Sequence, residues 1–366
     1  MRAIAWIWSL SISAHKIGST DAGWSSSVAR WAHNPEVAGS NPVPATKRES
    51  PSYREGFLVC IREYRGNVTR SHFTLNEDLQ LALQLADAAD EISRARFLAM
   101  DLEVSTKPDK TPVTDADRAV EQAIINILSR ERGEDFMLGE EFGEQSGSVS
   151  EHPTGTSDHP HRQWIIDPID GTSNFLRGVP VWATLISLAI DGVPVIGVVS
   201  APALGKRWWG SKGNGAWVDE SHDPLANIPL PEDLSEYLEQ PMVAVAEPRK
   251  LEVSGVKELA DASISYNSLQ QWDQAGYLDE LVSLSRKVWR TRAYGDMWSY
   301  MMVAEGILDV AGEFDLKPYD MAALMPIVTE AGGTFTSIDG HADVWHGSAL
   351  ATNGQLHAAV LNELAR

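Results

Sequence analysis

The stretch Trp164-Ile-Ile-Asp-Pro-Ile-Asp-Gly-Thr-Ser-Asn-Phe175 decides the fold, because it joins a buried strand to a sharp turn that carries two acids. Its apolar start has the length of a buried strand, and the chain then breaks at Pro168 and turns at Asp170-Gly171. Asp167 and Asp170 repel one another unless a cation neutralises them. Carboxylate oxygens suit Mg²⁺, which in turn binds phosphate. Taken alone, such a pair is more often a solvated acidic turn.

The composition limits the partners that the chain could bind. It has 366 residues, 43% of them apolar, and a net charge of -21. This is enough apolar material for a core, and the acidity argues against nucleic acid as a partner. The single cysteine, Cys60, excludes an internal disulfide and favours a reducing compartment. No apolar run reaches the ~18 residues of a membrane span, so we expect a cytoplasmic protein of one or two domains.

Residues 1–72 differ in composition from the rest of the chain. They hold nine Lys and Arg against five Asp and Glu, whereas the whole chain is strongly acidic. They show no sustained helical or strand period, although residues 3–14 could form the core of a signal peptide. The segment Val28–Lys47 is similar to the peptide obtained when a transfer-RNA gene is translated. We therefore expect the native start near Val68–Thr74 and expect residues 1–72 to be a non-native extension or a disordered tail.

Sequence patterns that are typical of helices and strands begin at Thr74. A capping box of Thr74 and Glu77 predicts a helix that runs to about Met100, and Thr114 should cap a second helix. Helices interleaved with strands predict a layered α/β architecture, with one half at 73–220 and a second at 221–366. The other expected elements are strands at 135–141, 182–190, 194–200, 242–246, 288–292 and 307–313, helices at 275–285, 296–305 and 320–330, and a strand-turn-helix at 349–364.

Further acidic residues fall where the predicted elements begin or end. Asp117 lies in the first turn of the second predicted helix, where the helix dipole favours a carboxylate. Asp320 is expected at a helix N-cap, a favoured position for Asp, and an N-cap is also the structural alternative for Asp296. Glu140 and Glu141 end a predicted strand, where such a pair is usually solvated. Residue patterns alone therefore allow a purely structural interpretation of each acid.

The run D-P-I-D-G-T-x-N-F at 167–175 resembles the signature of the inositol monophosphatase superfamily of metal-dependent phosphatases. The likeness extends over about residues 74–366, through Val-Thr-x-x-Asp117, Gly-Glu140-Glu and Lys-Pro-Tyr-Asp320, in the superfamily's order. It implies an αβαβα sandwich and a Mg²⁺-dependent phosphate monoester hydrolase. A tryptophan precedes the last aspartate in the superfamily, whereas Tyr319 stands here.

The resemblance also implies a role for each acid. The expected ligands of two or three Mg²⁺ ions are Glu140, Asp167, Asp170, Asp320 and the carbonyl of Ile169. The expected catalytic residues are Glu140, which would hold the metal that activates water, Thr172, which would accept the water's proton, and Asp117, which would accept a hydrogen bond from Thr172. The expected substrate contacts are Asp170, Gly171, Thr172, Asp296 and Glu313.

Two features of the sequence bear on the leaving group. Asp296 stands where the inositol phosphatases carry a Gly-Thr-Ala or Gly-Ser-Ala run, and Glu313, seven residues before Asp320, has the position of the superfamily's substrate-contacting glutamate. Two acids facing the leaving group suit a cation better than a neutral polyol. With Gly178–Trp182, these runs are similar to the histidinol-phosphatase branch, which implies a homodimeric enzyme of histidine biosynthesis that hydrolyses L-histidinol phosphate. An inositol-1-monophosphatase or a broad-specificity sugar or polyol phosphatase is the alternative.

Overall fold

The computed structural model describes residues 73–108, 111–145, 160–220 and 247–366. The predicted N-terminal extension, the predicted strand at 242–246 and residues 146–159 lie outside these residues. Within them, no helix combines the length and the apolarity that crossing a membrane requires.

Helices and strands alternate along the described residues. In chain order the helices are α1 Leu75–Arg96, α2 Asp115–Glu131, α3 Thr172–Leu176, α4 Leu269–Gln274, α5 Leu278–Ser285, α6 Asp296–Ala304, α7 Pro318–Met321, α8 Leu324–Glu330 and α9 His357–Leu364. The strands are β1 Val104–Thr106, β2 Pro112–Thr114, β3 Phe136–Gly139, β4 Gly143–Gln145, β5 Arg162–Asp170, β6 Ala183–Ile190, β7 Val193–Ala201, β8 Lys206–Ser211, β9 Gly215–Asp219, β10 Arg249–Lys250, β11 Ser263–Ser265, β12 Arg290–Arg292, β13 Val310–Phe314, β14 Thr334–Thr336 and β15 Ser348–Thr352.

The first two helices begin where the sequence predicts. Thr74 and Glu77 exchange side-chain and backbone hydrogen bonds in a complete capping box at the start of α1. Thr114 and Asp117 do the same at the start of α2. α1 ends at Arg96, earlier than expected, because Phe97 has extended backbone angles.

The larger sheet of the described residues has the strand order β10-β9-β8-β7-β6-β5-β3-β4, and within it β3 pairs with β5 in parallel. The hairpin of β6 and β7 is confirmed, with Asp191 and Gly192 both at positive φ as a two-residue turn requires. Side chains alternate along β5, so Trp164 and Ile166 enter one core and Ile165 enters another. The sheet is therefore buried on both faces.

A smaller sheet, of order β12-β11-β13-β15-β14, completes a stack of layers. Helices α1 and α2 cover one face of the larger sheet, and α6 and α8 pack between the two sheets. Helices α4, α5 and α9 enclose a third core on the outer face of the smaller sheet. The predicted αβαβα sandwich is thus confirmed. The division into halves at residue 220 stays a prediction, and β10 joins the larger sheet from the second half.

Several predicted boundaries in the second half are wrong. The helix expected at 275–285 begins later, as α5 at Leu278, because Gly276 adopts φ +78, and the preceding helix α4 was not expected. The helix expected at 320–330 is two helices, α7 and α8. Asp320 is consequently the third residue of α7 and not its N-cap, which is Lys317. Strand β14 was not predicted.

Candidate active site

The end of β5 carries two of the predicted ligands. Asp167 and Asp170 are three positions apart in the chain. In a regular strand, an odd offset points two side chains to opposite faces. The pairing of β5 with β6 shifts register between these two residues, and such an irregularity re-aims side chains. Asp167 is 2% exposed, and its Oδ1 accepts a hydrogen bond from the Ile169 amide at 3.0 Å.

Parallel pairing brings a third acid to the same place. The register of β3 against β5 aligns Gly139 with Ile166, and the Glu140 amide donates to the Ile166 carbonyl at 3.2 Å. Glu140 therefore lies beside Asp167, and the two carboxylates raise each other's tendency to hold a proton. A strand end alone could not have predicted this proximity, which depends on the neighbouring strand.

The acids fall into two adjoining groups. Carboxylate oxygens of Asp167, Asp170 and Asp320 lie within 4.8 Å of one another, Asp320 being supplied by α7. A second group of the same spacing contains Asp117, Glu140 and Glu141. The four carboxylate ligands expected from the sequence are thus brought together, with Glu141 as an addition that the expectation did not include.

Burial makes this convergence costly without a cation. It raises the pKa of Asp167 and Asp170 well above the ordinary range, and their acidic neighbours raise it further. Burial raises the pKa of Asp320 to about 7, against the lowering effect of the hydrogen bond from the Lys317 amide, and the charge of Glu140 adds to the rise. Hard oxygen ligands at this spacing, whose charges need neutralising, fit a divalent cation. The Ile169 carbonyl accepts a hydrogen bond from Thr172 Oγ1 at 3.0 Å and keeps a second lone pair for a cation.

Thr172 occupies the start of α3, directly after the turn at Gly171. Gly171 has φ +84, and a Cβ there would lie 2.9 Å from the Val181 carbonyl, so this turn requires glycine. Thr172 Oγ1 lies 3.2 Å from Asp117 Oδ1. The other oxygen of Asp117 accepts the Thr114 amide at 2.8 Å. Asp117 therefore belongs to the capping box of α2 and also contacts Thr172. The structural interpretation of this residue and the interpretation from the family resemblance are compatible.

A lysine that the sequence interpretation did not assign neutralises part of the second group. Lys107 Nζ lies 2.8 Å from Glu140 Oε1 and also pairs with Glu141. Burial lowers the pKa of Lys107, but the bonds to Glu140 and Glu141 outweigh it and hold the pKa above the ordinary range. The available signal was a basic residue in a proline-bearing loop just before the Val-Thr-x-x-Asp run.

Asp296 is not the N-cap of α6, so the structural alternative for this residue is wrong. Gly295 holds the N-cap position of α6, and Asp296 adopts φ +48, a left-handed conformation that is uncommon for a residue with a side chain. Its Oδ2 accepts a hydrogen bond from Asn174 Nδ2 at 2.7 Å. Burial raises the pKa of Asp296 to about 6. The amide of Met297, the second residue of α6, donates to Asp170 Oδ2 at 2.8 Å.

Glu313 is a buried acid next to the same group. It is 5% exposed and accepts a hydrogen bond from the Tyr300 hydroxyl at 3.1 Å. Burial and then Asp296 raise the pKa of Glu313 well above its usual range. The charges of Asp296 and Glu313 both help to raise the pKa of Asp170. The two acids expected to recognise a cation therefore lie on the Asp170 side of the site.

Comparison with known proteins gives a consistent result. The sequence profile of the inositol monophosphatase family matches residues 74–366. A histidinol-phosphatase from Mycobacterium tuberculosis is 50% identical over 289 residues, covering 79% of this chain and 98% of that protein. A histidinol-phosphatase from Streptomyces coelicolor is 48% identical, covering 79% and 97%. A solved inositol monophosphatase from Zymomonas mobilis is 28% identical with a TM-score of 0.62, covering 81% and 100%.

Proposed function

The chain belongs to the inositol monophosphatase family and is a phosphoric monoester hydrolase, and from this premise we propose that it hydrolyses L-histidinol phosphate to L-histidinol and phosphate. The observation that carries the choice of substrate is the pair of buried acids, Asp296 and Glu313, next to Asp170. L-Histidinol phosphate carries an ammonium group and an imidazole, which suit acidic partners. The names of the relatives that are about half identical support the same substrate and a place in histidine biosynthesis.

Mg²⁺ is the proposed cofactor, with two or three ions per site. The proposed ligands are Glu140, Asp167, Asp170, Asp320 and the carbonyl of Ile169. When bound, Mg²⁺ supplies positive charge that lessens the repulsion between a phosphate ester and a nucleophile and lowers the pKa of bound water. The two adjoining groups of acids support at least two ions.

The remaining chemistry is assigned to side chains near the metal ligands. The Thr172 hydroxyl donates its one proton towards Asp117, with the Ile169 carbonyl as the second acceptor in reach. The Thr172 oxygen would accept the proton of the attacking water as its own proton passes to Asp117. The amides of Gly171 and Thr172 are assigned to the phosphate oxygens, since a glycine turn lets backbone amides approach an anion. Asp296, held by Asn174, orients the ammonium group of the substrate together with Glu313.

The alternative is an inositol-1-monophosphatase or a broad-specificity sugar or polyol phosphatase, supported by the fold that the chain shares with the Zymomonas mobilis enzyme. Phosphate release from L-histidinol phosphate and from myo-inositol 1-phosphate, each with Mg²⁺, distinguishes the two. We expect kcat/KM to favour L-histidinol phosphate by at least about tenfold, which is about 1.4 kcal/mol. A preference for the inositol ester would support the alternative. A homodimer in the cytoplasm stays a prediction.

A further inference from the structure

A buried acid outside the proposed ligand set contacts the turn that carries Glu140. Glu121 lies on α2, four residues after Asp117, and therefore on the same face of the helix. Its side chain is almost completely buried, at 1% exposure. The proposed chemistry leaves Glu121 without a role, yet a carboxylate is rarely buried unless it is paired or hydrogen-bonded.

Both oxygens of Glu121 accept hydrogen bonds from consecutive backbone amides. Oε2 accepts the Glu141 amide at 2.8 Å, and Oε1 accepts the Phe142 amide at 3.0 Å. These amides directly follow Glu140, at the point where the chain leaves β3. Hydrogen bonds from backbone amides to a charged carboxylate are stronger than those between neutral groups. Glu121 therefore fixes the turn after Glu140 through the amides of Glu141 and Phe142.

The residue before Glu140 is shaped to admit this carboxylate. A Cβ on Gly139 would lie 1.8 Å from Glu121 Oε1, so any side chain at position 139 would collide with it. Burial raises the pKa of Glu121 to about 7, against the lowering effect of its two amide partners. The contact between Glu121 and the amides of Glu141 and Phe142 therefore requires both a buried acid and a glycine at the end of β3.

Helix α2 consequently carries two contacts to opposite sides of the proposed water site. Asp117 contacts Thr172, and Glu121 contacts the turn beside Glu140. The two anchoring residues are one helical turn apart, with an axial rise of about 6 Å. Because a packed helix does not stretch, their contacts fix the separation between the Thr172 hydroxyl and the Glu140 carboxylate.

We propose that Glu121 is a positioning residue, which sets the orientation of Glu140 for divalent-cation binding by fixing the backbone of Glu141 and Phe142. The proposal rests on the proposed function, since it takes Glu140 as a metal ligand. A residue of merely structural importance would change the stability of the fold without a specific effect on the cation. Metal affinity, measured without substrate, separates these two roles.

The test compares Mg²⁺ binding by calorimetric titration, in the absence of substrate, for the full chain and two variants. Glu121→Gln keeps the side-chain volume but turns an NH₂ group towards one of the two amides, so one anchor is lost. Gln122→Ala is the matched control, because Gln122 is exposed on the same helix and its side chain bonds to Asn126, one turn further along α2. Thermal unfolding without metal is measured in parallel.

We expect Glu121→Gln to weaken Mg²⁺ binding at least about tenfold and to raise the Mg²⁺ concentration for half-maximal phosphate release by a similar factor. The control should match the wild type in both. Should Glu121→Gln not fold, Gly139→Ala, which displaces the carboxylate without removing it, should weaken Mg²⁺ binding in the same way. A folded Glu121→Gln or Gly139→Ala protein with wild-type affinity overturns the inference alone. A wild-type chain that binds no Mg²⁺ overturns the proposed function as well.

Discussion

The hydroxyl oxygen of Thr172 lies 3.2 Å from a carboxylate oxygen of Asp117, although the two residues are 55 positions apart in the chain. The contact joins the first turn of α2 to the first residue after the acidic turn of β5. A hydroxyl whose proton is directed to Asp117 and to the Ile169 carbonyl presents its lone pairs elsewhere. In the proposed mechanism those lone pairs face the attacking water.

Replacing Thr172 by Val or by Ser tests that role. Thr172→Val keeps the shape but loses the hydroxyl, so we expect kcat to fall by about 10²–10⁴, the usual contribution of a positioned proton acceptor. Thr172→Ser keeps the hydroxyl and should retain most of the activity. Steady-state kinetics at saturating Mg²⁺ measures both. Equal losses in the two variants would show that the methyl group, and not the hydroxyl, is what matters.

Asp296 should govern recognition of the cationic leaving group in a pH-dependent manner. The pKa of Asp296 is raised to about 6, so its carboxyl is neutral at pH 5 and charged at pH 7. We expect kcat/KM for L-histidinol phosphate in the wild type to exceed that of Asp296→Asn at least about tenfold at pH 7.5. The ratio should approach one near pH 5, because the neutral acid then resembles the amide.

A neutral ester provides the control for Asp296. Glycerol 2-phosphate has no ammonium group, so Asp296→Asn should change its kcat/KM by less than about threefold at either pH. Because each comparison is between two proteins on one substrate, titration of the substrate's own phosphate and imidazole cancels. Losses of equal size on both esters would mean that Asp296 supports the fold of the site and does not recognise the leaving group.

The metal-free protein should become less stable as the pH rises. The pKa of Asp320 is raised to about 7, whereas an unfolded Asp titrates near about 3.9. Between these values the folded state holds a proton that the unfolded state has lost, so the stabilisation present below about pH 4 disappears by about pH 7. Asp167 and Asp170, raised in the same direction, add to the effect.

Mg²⁺ should reverse this dependence, because it binds the ionised carboxylates and releases protons. Melting temperatures recorded from pH 5 to 8 in chelator should fall with pH, and saturating Mg²⁺ should raise them most at pH 8. A metal-free melting temperature that rises between pH 5 and 7 would contradict the assigned burial of these acids.

Lys107 should matter most when no cation is bound. Its removal in Lys107→Met leaves Glu140 and Glu141 without their positive partner. Breaking a fully buried pair costs about 3–5 kcal/mol, and because solvent partly reaches Lys107 we expect about 2–3 kcal/mol here. Urea unfolding should show this loss in chelator and a smaller loss with Mg²⁺. Lys287→Met, which breaks an exposed pair with Glu363, is the control and should cost less than about 1 kcal/mol. Equal costs with and without Mg²⁺ would contradict the account.

Local signals predicted local structure well. The capping residues Thr74 and Thr114 and the Asp191-Gly192 turn act within a few residues of chain, so their patterns are visible in the sequence. The layered fold and the convergence of Glu140 with the acids of β5 could be anticipated by combining such signals with the family resemblance. The positions of single elements in the second half could not, since Gly276 interrupts an otherwise helical pattern.

Contacts that depend on tertiary packing could not be predicted from residue patterns. Lys107 reaches Glu140 across 33 positions, and Asn174 reaches Asp296 across 122. Tyr300 and Glu121 have no distinguishing pattern in the sequence, because their partners Glu313 and Glu141 lie on other elements. The motif around Asp320 predicts its place among the acids, and the structure does group it with Asp167 and Asp170. The predicted N-cap position is wrong, because α7 begins two residues before Asp320.

The central claim is that buried acids from β3, β5 and α7 hold the divalent cations on which phosphate hydrolysis depends. The most direct measurement is phosphate release from L-histidinol phosphate by the full chain with Mg²⁺, in excess chelator, and after Mg²⁺ is restored, with Asp167→Asn alongside. We predict turnover that is lost in chelator, regained with Mg²⁺ and nearly absent in Asp167→Asn. Undiminished turnover in chelator, or wild-type turnover in Asp167→Asn, would contradict the claim.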